Sequence, residues 1–373
     1  ILLPMICIGL LFIFSCEQKD NHRWLPAPCP IPTHWVSDID PDLPWSSYPR
    51  PQMMRDEWMN LNGLWDYAIL PRSAAIADTV HGKILVPYPV ESALSGVKKS
   101  VGPGNVIWYG RKVNIPPTWK DKDILLHFEA CDWETRVWID GQYAGGHRGG
   151  YDPFTFNISD KVTAGKEHTI TFSAWDPCNE GYQPRGKQVI EPGGIFYTSV
   201  TGAWQTIWLE PVPNSRITLF KTETNIDEGS LLLRPFIMNA LPEDRLEVIV
   251  MEGNKEITRA SGDPGDQLAL LIPDFKPWSP QSPFLYDLKI QLIRAGEVLD
   301  EVKSYFGMRE ITVGKDENRI NRILLNKEFV FQNGPLDQGY WPDGLYTPPT
   351  EEAMVYDLEK IKDLGFNMLR KHV

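Results

Sequence analysis

His168-Thr169-Ile170-Thr171-Phe172-Ser173-Ala174-Trp175 alternates so that Ile170, Phe172 and Ala174 share one face. That period of two is the mark of a β-strand with one side in a core. Upstream, Thr135-Arg136-Val137-Trp138-Ile139 runs into Asp140-Gly141, a strand entering a hairpin, because Asp and Gly tolerate the positive φ that such turns require. The same grammar of short alternating strands and turns holds from about Arg55 to Pro213, with few helical stretches, and predicts a β-sandwich. A second set follows: Arg216–Phe220, Ser230–Met238, Arg245–Met251, Leu268–Ile272, Leu285–Ile293 and Val298–Phe306. Its spacing suits an immunoglobulin-like sandwich, although the Cys…Trp…Cys signature is absent and only the architecture is expected. The break at Pro211-Val212-Pro213-Asn214 separates the two.

After Gly314 the pattern changes. Thr350 can cap a helix with an acidic first turn (Glu351, Glu352), an apolar stripe of Met354, Leu358 and Ile361, and Gly365 as its stop. Phe366-Asn367-Met368-Leu369 reads as a buried strand, and with a strand near Glu328–Leu336 the order is strand, helix, strand, the opening of an α/β unit. Two parallel strands cannot bury both faces of a sheet, so the sequence is expected to belong to a longer protein.

The 373 residues amount to two or three domains at about 150 residues each. Hydrophobic residues at 42% and charged ones at 23% exclude wholesale disorder and a polytopic membrane protein. Lys plus Arg number 37 against 49 acidic residues, the net charge is −12, and the longest basic run is Lys98-Lys99. Nucleic acid is therefore excluded as a partner. The 14 tryptophans exceed what packing alone usually recruits, and an indole face is a good platform for a sugar ring, even though most of them read as core.

Ile1–Phe14 is an uncharged apolar run that would span only about 21 Å as a helix, too short for a bilayer, and reads as the core of a signal peptide. Ser15-Cys16 followed by Glu17-Gln18-Lys19-Asp20 resembles a bacterial lipoprotein cleavage site. Cys16 is then the lipid-modified residue, residues 1–16 are the signal, and the protein is exported to the cell envelope, touching a membrane only through its lipid. A plainly cleaved signal is the alternative. Residues 17–45, rich in proline and without periodicity, read as an extended tether. Cys29, Cys131 and Cys178 fit neither a disulfide framework nor a zinc site. The seven histidines lack metal-binding spacing, so neither metal nor cofactor is expected.

Four stretches resemble glycoside hydrolase family 2, the β-galactosidases, β-glucuronidases and β-mannosidases. Asn60-Leu61-Asn62-Gly63-Leu64-Trp65-Asp66-Tyr67 is similar to the opening of that family's jelly-roll sugar-binding domain. Trp108–Val113, Leu125–Ala130 and Val137–Gly141 follow its strand order, and Thr201-Gly202-Ala203-Trp204-Gln205-Thr206-Ile207-Trp208-Leu209 resembles its closing strand. Trp278–Tyr286 and Phe306-Gly307-Met308-Arg309 match the end of the immunoglobulin-like domain, and Leu325–Phe329 with Asp357…Lys362–Arg370 look like the entry to a (β/α)8 TIM barrel. The fold implied is mainly β and multidomain: a jelly roll over 46–213, an immunoglobulin-like sandwich over 214–313, and the first βαβ unit of an incomplete barrel over 314–373.

The resemblance implies a retaining exo-glycosidase acting on a terminal β-linked sugar of an oligo- or polysaccharide, β-galactosidase-like by family. Such enzymes use an acid and a nucleophilic carboxylate about 5–5.5 Å apart. Both catalytic glutamates of the family lie later in the barrel, so no position here takes either role, and the chain by itself is expected to be inert. Barrel sites form at the C-terminal ends of strands, which places Asp337, Gln338, Tyr340, Trp341, Asp343, Arg370, Lys371 and His372 on the rim. Of these, Asp337, Gln338, Trp341, Arg370, Lys371 and His372 are the candidate sugar-binding residues; a loop whose charges merely solvate it is the alternative. Relatives end this strand NxxRxxHYP, whereas Asn367-Met368-Leu369-Arg370-Lys371-His372 brings the His one position early with no Tyr-Pro. The loops Gly145–Asp152 and Pro184–Gln188 are candidates for the border of the substrate pocket, with plain loop geometry as the simpler account. A non-catalytic carbohydrate-binding lipoprotein is the rival function.

Overall fold

The computed structural model describes residues 24–74 and 79–372. The expected signal peptide and the lipidation of Cys16 lie outside the described residues.

The strand Glu167–Trp175 is the fourth of six in a sheet ordered Gly82–Val86, Gly63–Pro71, Asn105–Asn114, Glu167–Trp175, Glu134–Ile139, Gln142–Arg148. Ile170, Phe172 and Ala174 are buried, as the alternation requires. The hairpin after Ile139 is a two-residue loop with Ile139 opposite Gln142. Both turn residues take positive φ, 47° at Asp140 and 78° at Gly141, which matches the twist of the strands they join. Asp140 also locks the turn by accepting from Thr169 N at 2.7 Å and pairing with His168 Nδ1 at 2.7 Å. A second sheet of Met59–Asn60, Ile207–Val212, Asp123–Phe128 and Phe154–Asn157 closes the sandwich. Trp65, Tyr109, Phe128, Phe172 and Leu209 pack between the two sheets, and the Tyr109 and Phe172 rings stack 4.2 Å apart. Face-to-face sheets are the architecture expected when each strand buries alternate residues.

The second sandwich sets three strands (Arg216–Asn225, Ser230–Met238, Leu268–Leu271) against four (Lys255–Gly262, Arg245–Glu252, Tyr286–Arg294, Glu297–Phe306). Its core includes Ile217, Leu233, Val248, Leu288 and Val302. The sequence reading omitted Lys255–Gly262, whose mixed polar run has half-buried residues where an inward face is expected.

Two expectations are corrected. The proline-rich stretch is no free tether from Trp24 onward. Trp24 Nε1 donates to Leu94 O at 3.1 Å, Ala27 N to Ala93 O at 2.9 Å, and Thr33 N and Oγ1 both to Asp343 Oδ2 at 2.7 Å. The strap is interrupted by a 3-10 helix at His34–Asp38, and Trp24, Val36, Ile39 and Trp45 cover Leu85, Tyr88 and Leu94. Further on, residues nominally ahead of the first sandwich serve the second: Met53 sits in its core, and Met54 and Lys303 exchange backbone hydrogen bonds of 2.8 and 2.9 Å.

The other correction concerns the C-terminal unit. The helix is Glu351–Asp363, capped by Thr350 Oγ1 accepting from Ala353 N, with Glu351 and Glu352 in its first turn; Gly365 follows at φ 86°. Leu336–Asp337 and Arg370–Lys371 pair in parallel across it, giving strand, helix, strand. The pairing falls on Arg370–Lys371, however, and Phe366–Leu369 form no strand and are not buried. The apolar stripe is equally uncovered, with Met354 at 38% and Leu358 at 54% exposure and Ala353 the buried residue of the helix. Two short parallel strands offer too little surface to cover a helix face, so the periodicity was right about the helix and the stripe has no partner among the described residues.

Candidate functional site

The parallel pair aims its C-terminal ends at one place. Asp337 Oδ2 takes a 2.7 Å ion pair from Lys371 Nζ, Asp337 Oδ1 accepts from Gly339 N at 2.8 Å, and His372 N donates to Asp337 O at 2.8 Å. Burial pushes the Asp337 carboxyl upward, but the Lys371 ammonium and the Gly339 N–H outweigh it and hold it below its ordinary value. Gln338 Oε1 and His372 Nδ1 are both buried without a hydrogen-bond partner among the described residues. Buried polar atoms are normally satisfied, so these two are the unmet hydrogen-bonding groups of the strand ends. Arg370 is exposed. Trp341 is half-buried, held by reciprocal backbone bonds with Leu345 of 2.7 and 3.0 Å. Of the six candidate residues, Asp337 pairs with Lys371 and His372 bonds the Asp337 backbone at the strand ends, Gln338 and Trp341 follow in the turn after the first strand, and Arg370 stands exposed on the second.

The first sandwich reaches this turn through both loops marked in the sequence. Tyr346 OH lies 3.1 Å from Tyr151 OH, and Gln188 Nε2 donates to both hydroxyls at 3.3 and 3.2 Å. Tyr340 stacks on Tyr197 at 4.1 Å and donates to Thr198 O at 3.4 Å, and its ring packs 4.7 Å from that of Tyr346. Glycines in the first loop allow close approach: a Cβ on Gly150 would fall 2.6 Å from the Asp132 carboxylate, and one on Gly145 2.4 Å from Phe156. Loop geometry and proximity to the site are therefore one explanation. Tyr346 also lines a cavity of about 340 Å³ with Trp45, Glu129, Trp204 and Glu351.

Behind the tyrosines lie three buried acids, Asp132, Asp176 and Glu91, the last two not singled out by the sequence reading. Gln188 Nε2 also donates to Asp132 Oδ2 at 3.2 Å, leaving Asp132 Oδ1 unpartnered. Asp176 accepts from Cys178 N at 2.8 Å and Gln183 Nε2 at 3.2 Å; Glu91 accepts from Thr201 N at 2.9 Å. Burial raises the Glu91 carboxyl to about 8 and that of Asp176 to about 6, and burial reinforced by Asp176 carries Asp132 well above its ordinary value. Glu91 is thus a neutral acid at pH 7. Asp176 was legible, since it continues the inward series Ile170, Phe172, Ala174; Glu91 carries no such signal. Glu134, two residues from Asp132, is held by Arg136 and Arg148 at 2.7 and 3.0 Å. Cys29, Cys131 and Cys178 are free thiols.

Against known proteins, residues 81–196 match the model of the glycosyl hydrolases family 2 sugar binding domain, and residues 238–309 match a second family 2 domain model. The chain belongs to glycoside hydrolase family 2. It is 25% identical to a β-glucuronidase of Bacteroides fragilis over 83% of this chain and 45% of the relative, and 23% identical to a β-galactosidase of Thermoanaerobacter pseudethanolicus over 57% and 29%. It therefore spans less than half the length of these relatives. The fold superimposes on the Ruminococcus gnavus β-glucuronidase with a TM-score of 0.73 at 18% identity, covering 87% of this chain and 56% of that one. The Dictyoglomus thermophilum β-D-glucuronidase gives 0.68 at 21%, covering 86% and 55%. The two sandwiches described above are thus those of a family 2 protein.

Proposed function

We propose that this chain is the N-terminal part of a retaining exo-glycoside hydrolase that removes a terminal β-linked sugar, a β-glucuronide or β-galactoside, from an oligo- or polysaccharide. The observation that carries this reading is the Tyr151–Gln188–Tyr346 contact, in which jelly-roll loops clasp the turn after the first parallel strand. A strand-end turn braced from a neighbouring domain is a preorganised rim, and rims of this kind orient substrates. In this reading Leu336–Lys371 opens a (β/α)8 barrel, and Asp337, Gln338, Trp341, Arg370, Lys371 and His372 hydrogen-bond and stack the sugar. The two carboxylates that perform the displacement come from elsewhere in the barrel, so the 373 residues alone are inert. The protein is a lipoprotein of the bacterial cell envelope, anchored through Cys16.

The test is to express the whole reading frame and the 373-residue chain side by side and assay p-nitrophenyl β-D-glucuronide and β-D-galactoside, following the product anomer by NMR. The long form is expected to hydrolyse one of them with retention, and the short form neither. An inactive long form or an inverted product overturns the proposal, and turnover by the short form overturns its inertness. Loss of radiolabelled palmitate incorporation in Cys16→Ala is the expected signature of the anchor.

A further inference from the structure

The six-stranded sheet has a second face, turned away from its core, where a sandwich normally carries small polar residues. Here cross-strand register lines up Ala68, Trp108, Ser173 and Arg136 in one row, and beside it Leu70 faces Val106 and Trp175 faces Glu134, with Leu70 and Trp175 packed on the Val106–Trp108 cluster. Trp108, Trp138 and Trp175 with Arg72, Glu134 and Arg136 line a cavity of about 310 Å³. The Trp108 and Trp138 rings lie 5.1 Å apart, and the exposed Tyr143 meets Trp138 edge-on at 5.7 Å. The Arg72 guanidinium sits on the Trp175 ring, 3.4 Å from its centroid. Arg72, Glu134 and Trp175 also line a second cavity of about 700 Å³, which continues past Trp133 to the fully exposed Tyr182. The two cavities are one trough. Trp108 is only 8% exposed, and its Nε1 has no hydrogen-bond partner among the described residues.

We propose that this trough is a glycan-binding site, separate from the strand ends, that holds successive pyranose units of an oligosaccharide chain. A pyranose presents a flat apolar face ringed by hydroxyls. Aromatic platforms match the face, and the Glu134–Arg136–Arg148 cluster with Arg72 both accepts from and donates to the hydroxyls. A protein partner suits the trough less well, because an aliphatic patch would cut these charges off from water without replacing their bonds. The length of the trough favours a chain over a single sugar. Trp108 Nε1 finds its acceptor in a hydroxyl at the floor. Binding here needs neither the barrel nor its carboxylates, so this inference and the proposed hydrolysis can fail separately.

The test is affinity electrophoresis of the chain through native gels containing arabinoxylan, glucomannan, polygalacturonate or chondroitin sulfate. Retardation in at least one gel is expected, and a neutral or an acidic polymer identifies the class. Trp138→Ala and Tyr182→Ala are each expected to weaken it about tenfold, the worth of one lost aromatic platform, while Tyr356→Ala, an aromatic on the helix, leaves it unchanged. Tyr182 is fully exposed, so its replacement reports on binding and not on folding. Free migration in all four gels overturns the proposal, as does retardation that both trough variants retain in full.

Discussion

Glu210 and Glu91 are both buried glutamates of the first sandwich, yet their surroundings drive them in opposite directions. Glu210 accepts from Arg50 Nη2 at 3.1 Å, Arg55 Nη1 at 3.1 Å and Tyr48 OH at 2.9 Å, with His127 Nε2 3.3 Å away. Burial alone would raise its carboxyl, but His127, Arg50 and Arg55 bring it down to about 2. Glu91 has Thr201 N for company and Asp176 as a neighbouring acid, and stands at about 8. The Glu210 network is a clamp: Arg55 also donates to Asp300 Oδ1 and Oδ2 at 2.9 and 2.8 Å and to Ile217 O at 2.7 Å, so a single guanidinium ties the two sandwiches together. The Glu91–Asp132–Asp176 group bonds to Thr201, Gln188, Cys178 and Gln183 within the first sandwich, with no ion pair among the described residues to offset its burial behind the strand-end tyrosines.

The sharpest way to break this contrast is Arg55→Met. It strands Glu210 and Asp300 without their shared cation, and losing one partner of a buried ion pair costs about 3–5 kcal/mol. Urea unfolding should show that loss, with the two sandwiches melting separately where the wild type melts as one. A loss below 1 kcal/mol would mean that Arg50 and His127 suffice.

The pH dependence comes next. Glu210 ionises at about 2 when folded against an ordinary value near 4.3, so its stabilisation is complete above that ordinary value and is lost as pH falls toward 2. For Glu91 the sign is reversed: the folded protein holds its proton up to about 8, so stability falls as pH rises from the ordinary value to 8 and levels off beyond. Each limb amounts to a few kcal/mol. Stability should therefore peak at about pH 4, near the ordinary glutamate value, and Glu91→Gln should flatten the alkaline limb while leaving the acid limb intact. Urea midpoints between pH 3 and pH 9 test this, and an unchanged alkaline limb in Glu91→Gln sinks the assignment.

Much of this architecture was legible because two-residue alternation and turn chemistry are local. Ile170, Phe172 and Ala174 declare their face without help, and Asp140-Gly141 its turn. Thr350, Glu351 and Gly365 declare the helix in the same way. What was not legible depends on partners far along the chain. Nothing near Thr33 says that it will bond Asp343, and nothing near Arg55 says that Asp300 lies across a domain boundary. The strand-end candidates follow from a topological rule, so Asp337 and Lys371 could be named in advance. The tyrosine clasp joins Tyr151, Gln188 and Tyr346 from three separate loops, and composition leaves no trace of it. The outer face of the six-stranded sheet was hidden for another reason, since Trp108, Trp138 and Trp175 look like core until the register shows which way they point.

The finest comparison is between the two tyrosines that serve the two networks. Tyr48 donates to Glu210, a full carboxylate, and a hydrogen bond to a charged acceptor contributes about 1.5–3 kcal/mol; burial, reinforced by the Glu210 charge, pushes the Tyr48 hydroxyl up to about 12. Tyr346 bonds a phenol and an amide, both neutral, at 3.1 and 3.3 Å, a bond worth about 1 kcal/mol. Tyr48→Phe should therefore destabilise the chain more than Tyr346→Phe does. In the complete reading frame the order should invert for turnover. Tyr48→Phe leaves the strand-end turn braced, whereas Tyr346→Phe frees Gln188 and Tyr151 and loosens a rim that must hold a sugar to within a fraction of an ångström. Measured urea midpoints set beside kcat/KM for the two variants decide it: the same rank order in both columns would mean that the clasp is only another piece of structure.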